Sequence, residues 1–258
     1  MLCNRWRERL DTAPEGEERV ASFAQQFTQV HTITDRFAMA NTYLINDEHV
    51  VIVDPGSELN AHSALDYLQR FLHRSPGEID LIVLTHLHPD HTAGVTSLRQ
   101  ACGAPVAASA AAQQLAESKL RVNRVVPGVT QFASHVLPGA LHHLDLFPPE
   151  YELQIKMVDV WLEDVAGVPC HPTWRVIASP GHTPESLCLY NPFTYELICG
   201  DTVITLEGGG SLVRGGTNRR QLEETLRTLC SLQVYYLYPG HGRQIISKHA
   251  LTTMQLAW

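Results

Sequence analysis

Three histidines and one aspartate fall within six residues of the sequence, in the segment HLHPDH: His86, His88, Asp90 and His91. The apolar run Ile79–Leu84 before them predicts a buried strand, and a helix is predicted after them. Alternate residues of an extended segment share a face, so His86 and His88 can face one metal ion. Asp90 and His91 follow the proline bend and can face a second ion. Imidazole and carboxylate groups bind hard and borderline divalent metals, so the segment predicts a metal centre.

Three later turns carry the same ligand types directly after predicted strands. The segments are SPGH, CGDT and PGHG, and they contain His182, Asp201 and His241. The glycine before each ligand allows the tight turn that brings the side chain inward. One histidine or aspartate after a glycine is common in turns. Four strand ends that each deliver metal-type ligands indicate one shared site.

In this order and spacing, the motifs THLHPDHTAG, PGHT, GDT and PGHG resemble the metallo-β-lactamase-fold hydrolase superfamily. The resemblance covers residues 28 to 242, and the segment DPG that begins at Asp54 is similar to the first motif of that family. It implies an α+β fold, a four-layer αββα sandwich. In that fold two mixed β-sheets pack face to face and the helices lie outside.

The resemblance also implies two ligand sets for two divalent metal ions, with zinc favoured and iron or manganese as alternatives. The set for one ion is His86, His88 and His182. The set for the other ion is Asp90, His91 and His241. Asp201 would bridge the two ions, and Asp54, similar to the structural aspartate of the family, would lie just behind the ligands.

Two divalent ions about 3.5–4 Å apart can share a water and lower its pKa from about 15.7 towards about 7. This would supply a metal-bound hydroxide at neutral pH. Asp90 could orient that hydroxide or carry its proton, which makes it the predicted catalytic side chain. The predicted function is dinuclear metal-dependent hydrolysis of an ester-like bond in a small molecule, with a thioester or lactone favoured.

Several activities within the family stay open. True β-lactamases resemble this pattern but typically lack a bridging aspartate, so Asp201 argues against them. The GDT motif resembles thioester hydrolases of the glyoxalase II type, although their final motif, of the GHEY type, differs from PGHG here. Family lactonases carry a tyrosine where this chain has Ile204. The alternatives from other classes are a mononuclear iron persulfide dioxygenase and a metal-dependent phosphodiesterase or ribonuclease.

Short β-branched runs alternate with segments whose apolar residues have helical spacing. The strands and helices that these patterns predict must position the ligands. The predicted strands are residues 30–33, 43–45, 50–53, 79–84, 105–107, 157–162, 174–178, 187–190, 197–199 and 234–238. The predicted helices are residues 58–74, 91–102, 110–122 and 219–229.

We predict a single domain over residues 1–258, with a leader, a lid and a glycine-rich loop in the remaining segments. Residues 1–27 are predicted to be an N-terminal leader. Residues 123–157 contain four prolines and no clean period, which predicts a helical lid over the site. Residues 207–216 are predicted to be a glycine-rich loop. His142 and His143 in the lid and Arg214 in the loop are the candidate substrate-binding side chains.

The composition places limits on partners and location. The chain of 258 residues is 44% hydrophobic and 18% charged, as expected of a globular protein. Its net charge of -8 disfavours nucleic acid as a partner, because such binding rests on phosphate neutralisation. There is no apolar run for a membrane span and no secretory signal, so we expect a cytoplasmic protein without a membrane partner.

Homo-oligomer formation is left open. The six scattered cysteines are expected to be reduced and mostly buried.

Overall fold

The computed structural model describes residues 29–34, 40–125, 155–205, 211–214, 218–247, 250–251 and 254–257. For residues 118–125, 211–214 and 254–257 it describes the backbone alone. The predicted leader, most of the predicted lid, and the lid residues His142 and His143 lie outside the described residues.

The first sheet has six strands in the order β1-β2-β3-β4-β5-β6. Its strands are β1 (Val30–Ile33), β2 (Thr42–Asn46), β3 (Val50–Val53), β4 (Ile79–Val83), β5 (Val106–Ser109) and β6 (Val160–Leu162). The first three strands form an antiparallel meander, and β3 to β6 run parallel. The sheet is therefore mixed.

The second sheet also has six strands, in the order β14-β13-β10-β9-β8-β7. Its strands are β7 (Gly167–Val168), β8 (His171–Ala178), β9 (Leu187–Asn191), β10 (Glu196–Gly200), β13 (Tyr236–Pro239) and β14 (Ile245–Ile246). The pair β10–β13 is parallel and the other pairs are antiparallel. A third sheet joins β11 (Ile204–Thr205), β12 (Ser211–Arg214) and β15 (Met254–Ala257).

Five α-helices lie among the described residues. They are α1 (Glu58–Arg70), α2 (Pro89–Thr92), α3 (Val95–Cys102), α4 (Ala110–Val125) and α5 (Arg219–Cys230). Helix α1 begins at Ser57, whose side chain accepts a hydrogen bond from the backbone N–H of Asn60. Asn218 caps α5 in the same way through the N–H of Gln221. Capping satisfies N–H groups that the first helical turn leaves without partners.

The alternation of side chains along each strand divides the core into three layers of buried contacts. Tyr43, Val51 and Leu81 of the first sheet pack against residues such as Trp174 and Leu189 of the second sheet. The opposite face of each sheet packs against helices, because successive side chains of a strand point to opposite faces.

On the outer face of the first sheet, Leu44 and Ile52 pack with Leu68 of α1 and Leu98 of α3. On the outer face of the second sheet, Leu197 and Leu237 pack with the apolar side of α5. The leucines of α5 in that layer are Leu222, Leu226 and Leu229. The order of layers is helix, sheet, sheet, helix. The predicted four-layer sandwich is confirmed.

Some element boundaries differ from the prediction. Helix α1 ends at Arg70 rather than at residue 74, because His73 adopts a left-handed conformation with φ 54° that does not continue a helix. The predicted helix 91–102 is divided into α2 and α3 on either side of Gly94. The predicted glycine-rich loop contains strand β12, which pairs with β11 and β15.

The described residues also bear on the expected membrane spans and thiols. None of the helices in the described part of the chain combines the length and apolarity needed to cross a membrane. The five described cysteines carry free thiols, but only Cys188 and Cys199 are buried, while Cys170 and Cys230 are exposed. The expectation of mostly buried thiols was therefore wrong.

Candidate metal centre

The candidate site lies at one edge of the two packed sheets, where five strands end and the chain turns. Asp54 follows β3, and the segment HLHPDH follows β4. The second sheet supplies one ligand after each of three strands: His182 after β8, Asp201 after β10 and His241 after β13. The structure brings together all seven residues that the sequence analysis named as ligands.

Three imidazoles form the first ligand group. The Nε2 atom of His86 lies 3.0 Å from Nδ1 of His88, and Nε2 of His182 lies 3.1 Å from the same Nδ1. His86 is buried and the other two are half-buried. The ring planes meet edge to face, at 79° for His86 with His88 and 89° for His88 with His182. Three ring nitrogens from two sheets therefore point at one position.

Asp90, His91 and His241 form the second ligand group, and their ligand atoms all lie within 4.8 Å of one another. The Oδ2 atom of Asp90 is 3.3 Å from Nε2 of His241 and 3.9 Å from Nε2 of His91. His91 is fully buried, whereas Asp90 keeps about a third of its side chain exposed (34%). This group is thus open to solvent on the side of Asp90.

The carboxylate of Asp201 lies between the two groups. Its Oδ2 atom is 3.5 Å from Nε2 of His182 in the first group and 3.3 Å from Nε2 of His241 in the second. Its Oδ1 atom is 3.2 Å from Nε2 of His91. One buried carboxylate therefore contacts ring nitrogens of both groups, which is the position expected of a bridging ligand.

Asp54 lies behind the second group, on the side of His91 away from Asp201. Its Oδ1 atom accepts a hydrogen bond from the backbone N–H of Thr85 at 2.8 Å, and its Oδ2 atom accepts one from the Thr85 hydroxyl at 2.7 Å. The same Oδ2 atom accepts the Nδ1–H of His91 at 2.9 Å. This contact orients the ring of His91 and points its Nε2 atom towards Asp201.

The donor set fits divalent cations. His91 Nε2 and Asp201 Oδ1 are buried and face each other, yet neither has a partner in hydrogen-bond geometry. In a tetrahedral shell, nitrogen ligands about 2.0–2.1 Å from the ion are about 3.3 Å apart. The separations of 3.0 and 3.1 Å in the first group are within a few tenths of that value. The donors therefore suit cations, which would satisfy both the His91 nitrogen and the Asp201 oxygen that face each other.

The charges of the site divide the histidines into two classes. Burial lowers the pKa of His182 to about 4 and that of His86 well below its usual value, so both are neutral and can offer lone pairs. Burial also opposes the charge of His91 and His241, but the neighbouring carboxylates prevail. Asp54 and Asp201 raise the pKa of His91 to about 10, and Asp201 and Asp90 raise that of His241 to about 9.

The carboxylates of Asp201 and Asp90 are ionised. Burial alone would raise the pKa of Asp201, but its contacts with His241 and His91 hold that pKa far below the usual range. The contact with His241 likewise lowers the pKa of Asp90. Without a cation, the carboxylates thus stabilise protons on the imidazoles of His91 and His241, and a bound cation would replace those protons.

Two glycines allow the strand ends to approach one another. Gly200 has a φ of 48°, and a side chain there would overlap the Thr85 side chain. A Cβ atom on Gly240 would overlap Oδ1 of Asp201 and would lie 2.9 Å from Cε1 of His91. The backbone before His241 therefore passes directly over the Asp201 carboxylate, which only glycine permits.

Sequence reasoning missed Asn41, which holds the turn that carries His241. The buried amide of Asn41 donates hydrogen bonds to the carbonyl oxygens of Pro239 at 2.9 Å and Gly242 at 2.8 Å. Its backbone N–H donates to the Gly240 carbonyl at 2.7 Å. These contacts join residues about 200 positions apart in the chain, so no local motif could have indicated them.

Glu185 was also missed. This carboxyl is buried, and burial raises its pKa. Its Oε1 atom lies 3.4 Å from the backbone nitrogen of Leu87, the residue between His86 and His88. Its position three residues after His182 was a local signal for a role near the site.

The three candidate substrate-binding residues stay predictions. The backbone of Arg214 lies in β12, whereas its side chain is outside the described part of the chain. His142 and His143 are outside the described residues altogether.

Comparisons with known proteins agree with this geometry. The sequence matches the metallo-beta-lactamase superfamily over residues 35–241. The probable metallo-hydrolase MJ0888 of Methanocaldococcus jannaschii is 25% identical over 209 residues, which are 79% of this chain and 87% of that protein. A hydroxyacylglutathione hydrolase of Saccharophagus degradans is 31% identical over 184 residues, 71% of this chain but 52% of that enzyme. The chain therefore spans about half the length of that relative.

The fold is also found among solved structures. The metallo-beta-lactamase family protein TTHA1429 from Thermus thermophilus superposes with a TM-score of 0.57 at 20% identity, covering 85% of this chain and 74% of that protein. The family match extends over most of the chain and includes all seven predicted ligands. The chain belongs to the metallo-beta-lactamase superfamily and is an enzyme of the metal-dependent hydrolase type.

Proposed function

We propose that this protein is a dinuclear metal-dependent hydrolase that cleaves the thioester bond of a small-molecule substrate. The observation that carries the proposal is the position of Asp201, whose carboxylate contacts ring nitrogens of both ligand groups. A single-ion site would need only one of those groups.

The proposed roles of the residues follow from their placement. His86, His88 and His182 would hold one ion, Asp90, His91 and His241 would hold the other, and Asp201 would lie between the ions. When bound, two such ions would lower the pKa of a shared water and polarise the scissile carbonyl. Zinc is the favoured metal because it combines readily with imidazole and carboxylate ligands, and iron or manganese are the alternatives.

Asp90 is the proposed proton carrier. Its carboxylate is ionised, since the contact with His241 lowers its pKa, and a third of the side chain (34%) is exposed to solvent. Its Oδ2 atom can therefore accept a proton at the mouth of the site and release it to water. Asp54 acts through His91 by holding the Nδ1–H of that ring.

The choice of a thioester rests on relatives. Hydroxyacylglutathione hydrolases from several bacteria match this chain, at 31% identity for the Saccharophagus degradans enzyme. The GDT motif at Asp201 agrees with that class. A lactone contains a similar acyl carbon, and it is the main alternative substrate.

The test is a substrate panel on the metal-reconstituted protein. The panel contains an acyl-glutathione thioester, a lactone, a β-lactam, a bis-aryl phosphodiester and a glutathione persulfide, each assayed with and without oxygen. We expect the highest kcat/KM for the thioester, independence from oxygen, and loss of the activity in His88→Ala. The variant Asp66→Asn, which changes an exposed helical carboxylate, serves as the matched control.

Three results would contradict the proposal. Equal thioester turnover in His88→Ala would show that the reaction does not use this site. Oxygen uptake with a glutathione persulfide would assign the iron dioxygenase class instead. Preferential cleavage of the phosphodiester would assign the nuclease class.

A further inference from the structure

A second cluster of metal-type side chains lies at the opposite end of the strands from the candidate metal centre. His49 precedes β3 and Asp80 is the second residue of β4, whereas Asp54 and His86 follow the far ends of those strands. Cys170 precedes β8, whose other end leads to His182. Asp80 and His86 are six positions apart along a segment that begins in β4, which corresponds to at most about 20 Å at about 3.3 Å per residue.

The geometry of the cluster suits a metal ion. The ligand atoms of His49, Asp80 and Cys170 all lie within 4.8 Å of one another. Nδ1 of His49 is 3.4 Å from Oδ2 of Asp80. In a tetrahedral zinc site, nitrogen and oxygen ligands at about 2.0–2.2 Å and sulfur at about 2.3 Å are about 3.3–3.6 Å apart. The His49–Asp80 pair already has that separation, and the sulfur of Cys170 lies within 4.8 Å of both ligand atoms.

The backbone at Cys170 adds a second observation. Pro169 and Cys170 are the two loop residues between the paired positions Val168 and His171 of the β7–β8 hairpin. Cys170 has a φ of 67°, a conformation that favours glycine at the second loop position. A cysteine there costs more backbone strain than a glycine would, and it places an exposed thiol at the tip of the hairpin.

His171, the next residue, adds a third observation. It is 2% exposed, its Nδ1 atom is 3.2 Å from Oδ2 of Asp47, and its Nε2 atom is buried without a hydrogen-bond partner. Its ring lies edge to face with that of His49, with centroids 5.8 Å apart. Two histidines, two carboxylates and one thiol are thus gathered at this end of the fold.

We propose that His49, Asp80 and Cys170 bind one borderline divalent cation of the Zn²⁺ class, separate from the catalytic centre. The thiolate and imidazole favour zinc over magnesium or calcium. His49 and Asp80 belong to the first sheet and Cys170 to the second, so the ion joins the two sheets at the end away from the catalytic residues. His49 and Asp80 keep 44% and 34% of their side chains exposed, which gives the ion access from solvent.

Cobalt substitution distinguishes this site from the catalytic centre, because none of the seven catalytic ligands is a cysteine. The full chain is freed of metal with a chelator and titrated with Co²⁺, and the near-ultraviolet absorption is recorded. We expect a thiolate-to-cobalt charge-transfer band that disappears in Cys170→Ser and in His49→Ala. The band should persist in Cys230→Ser, the matched exposed cysteine, and in His88→Ala, which affects only the catalytic centre.

The outcomes separate this proposal from the proposed function. A titration without a thiolate band, or a band that survives Cys170→Ser in protein with unchanged circular dichroism, would overturn the proposal. Loss of the band in Cys230→Ser alone would also overturn it. A band that persists while the substrate panel fails would contradict only the proposed function.

Discussion

His91 is held between two carboxylates, one on each ring nitrogen. Asp54 accepts its Nδ1–H at 2.9 Å, and Asp201 Oδ1 faces its Nε2 at 3.2 Å. A buried imidazole between two anions favours a positive charge, whether from a proton or from a metal ion. The motif HLHPDH was enough to name His91 as a candidate ligand, and the resemblance of the DPG segment to the first motif of the family indicated Asp54.

The protonation of the metal-free site predicts how metal affinity depends on pH. The pKa of His91 is raised to about 10 and that of His241 to about 9, so both imidazoles carry protons at pH 7. A metal ligand must be neutral imidazole, so binding displaces these protons. Affinity should therefore rise with pH between about pH 6 and 9, by about tenfold per unit for each proton released. Calorimetry in buffers of different ionisation enthalpy measures the release; binding at pH 7 without proton release would contradict the prediction.

The role of Asp54 predicts the effect of Asp54→Asn. The amide keeps the shape of the side chain but loses the charge that fixes the His91 ring. Metal affinity should fall by about 10- to 100-fold, the usual effect of removing such a supporting carboxylate. Chelator competition measures it, with Asp66→Asn, an exposed helical carboxylate, as the control. Unchanged affinity in Asp54→Asn would show that Asp54 does not position the ligand.

At the scale of elements, the site depends on turns that long-range contacts hold in place. The strands and helices with a clear period were predicted from the sequence, because burial on one face imposes that period. The two-residue strands β7, β11 and β14 were not predicted, since so short a strand carries no period. The pairing of β12 with β15 and the contact of Asn41 with the His241 turn were also missed, because their partners are distant in sequence.

The contacts of Asn41 predict the effect of Asn41→Ala. The substitution leaves the Gly242 carbonyl without this donor, which costs about 1–3 kcal/mol for a buried group left unsatisfied, whereas the Pro239 carbonyl keeps its hydrogen bond from the Tyr43 hydroxyl. The turn that carries His241 loosens, so the second ligand group should lose metal affinity before the first. Urea denaturation and metal titration measure the two effects. Gln244→Ala is the control, since Gln244 makes an exposed contact with Thr32.

If Asn41→Ala lowered the metal affinity of both ligand groups equally, the effect of the Asn41 hydrogen bonds would not be specific to the His241 turn. If it changed neither stability nor metal affinity, the hydrogen bonds of Asn41 would be of no consequence for the site.

At the scale of the whole molecule, the two sheets share the site. The first sheet supplies the four ligands of one contiguous segment, and the second sheet supplies His182, Asp201 and His241. The apolar layer between the sheets fixes their relative position, and Val83, Ile198 and Tyr238 belong to this one buried cluster. The candidate metal centre therefore depends on how the sandwich packs, and it joins motifs more than 150 residues apart in the chain.

The proposed function requires that seven side chains from both sheets hold two metal ions with Asp201 between them. Anomalous diffraction from crystals of the zinc-reconstituted protein, collected at the metal absorption edge, tests it directly. We expect two peaks about 3.5–4 Å apart, one among His86, His88 and His182, and one among Asp90, His91 and His241. A single peak at this edge of the sheets, or peaks away from Asp201, would contradict it.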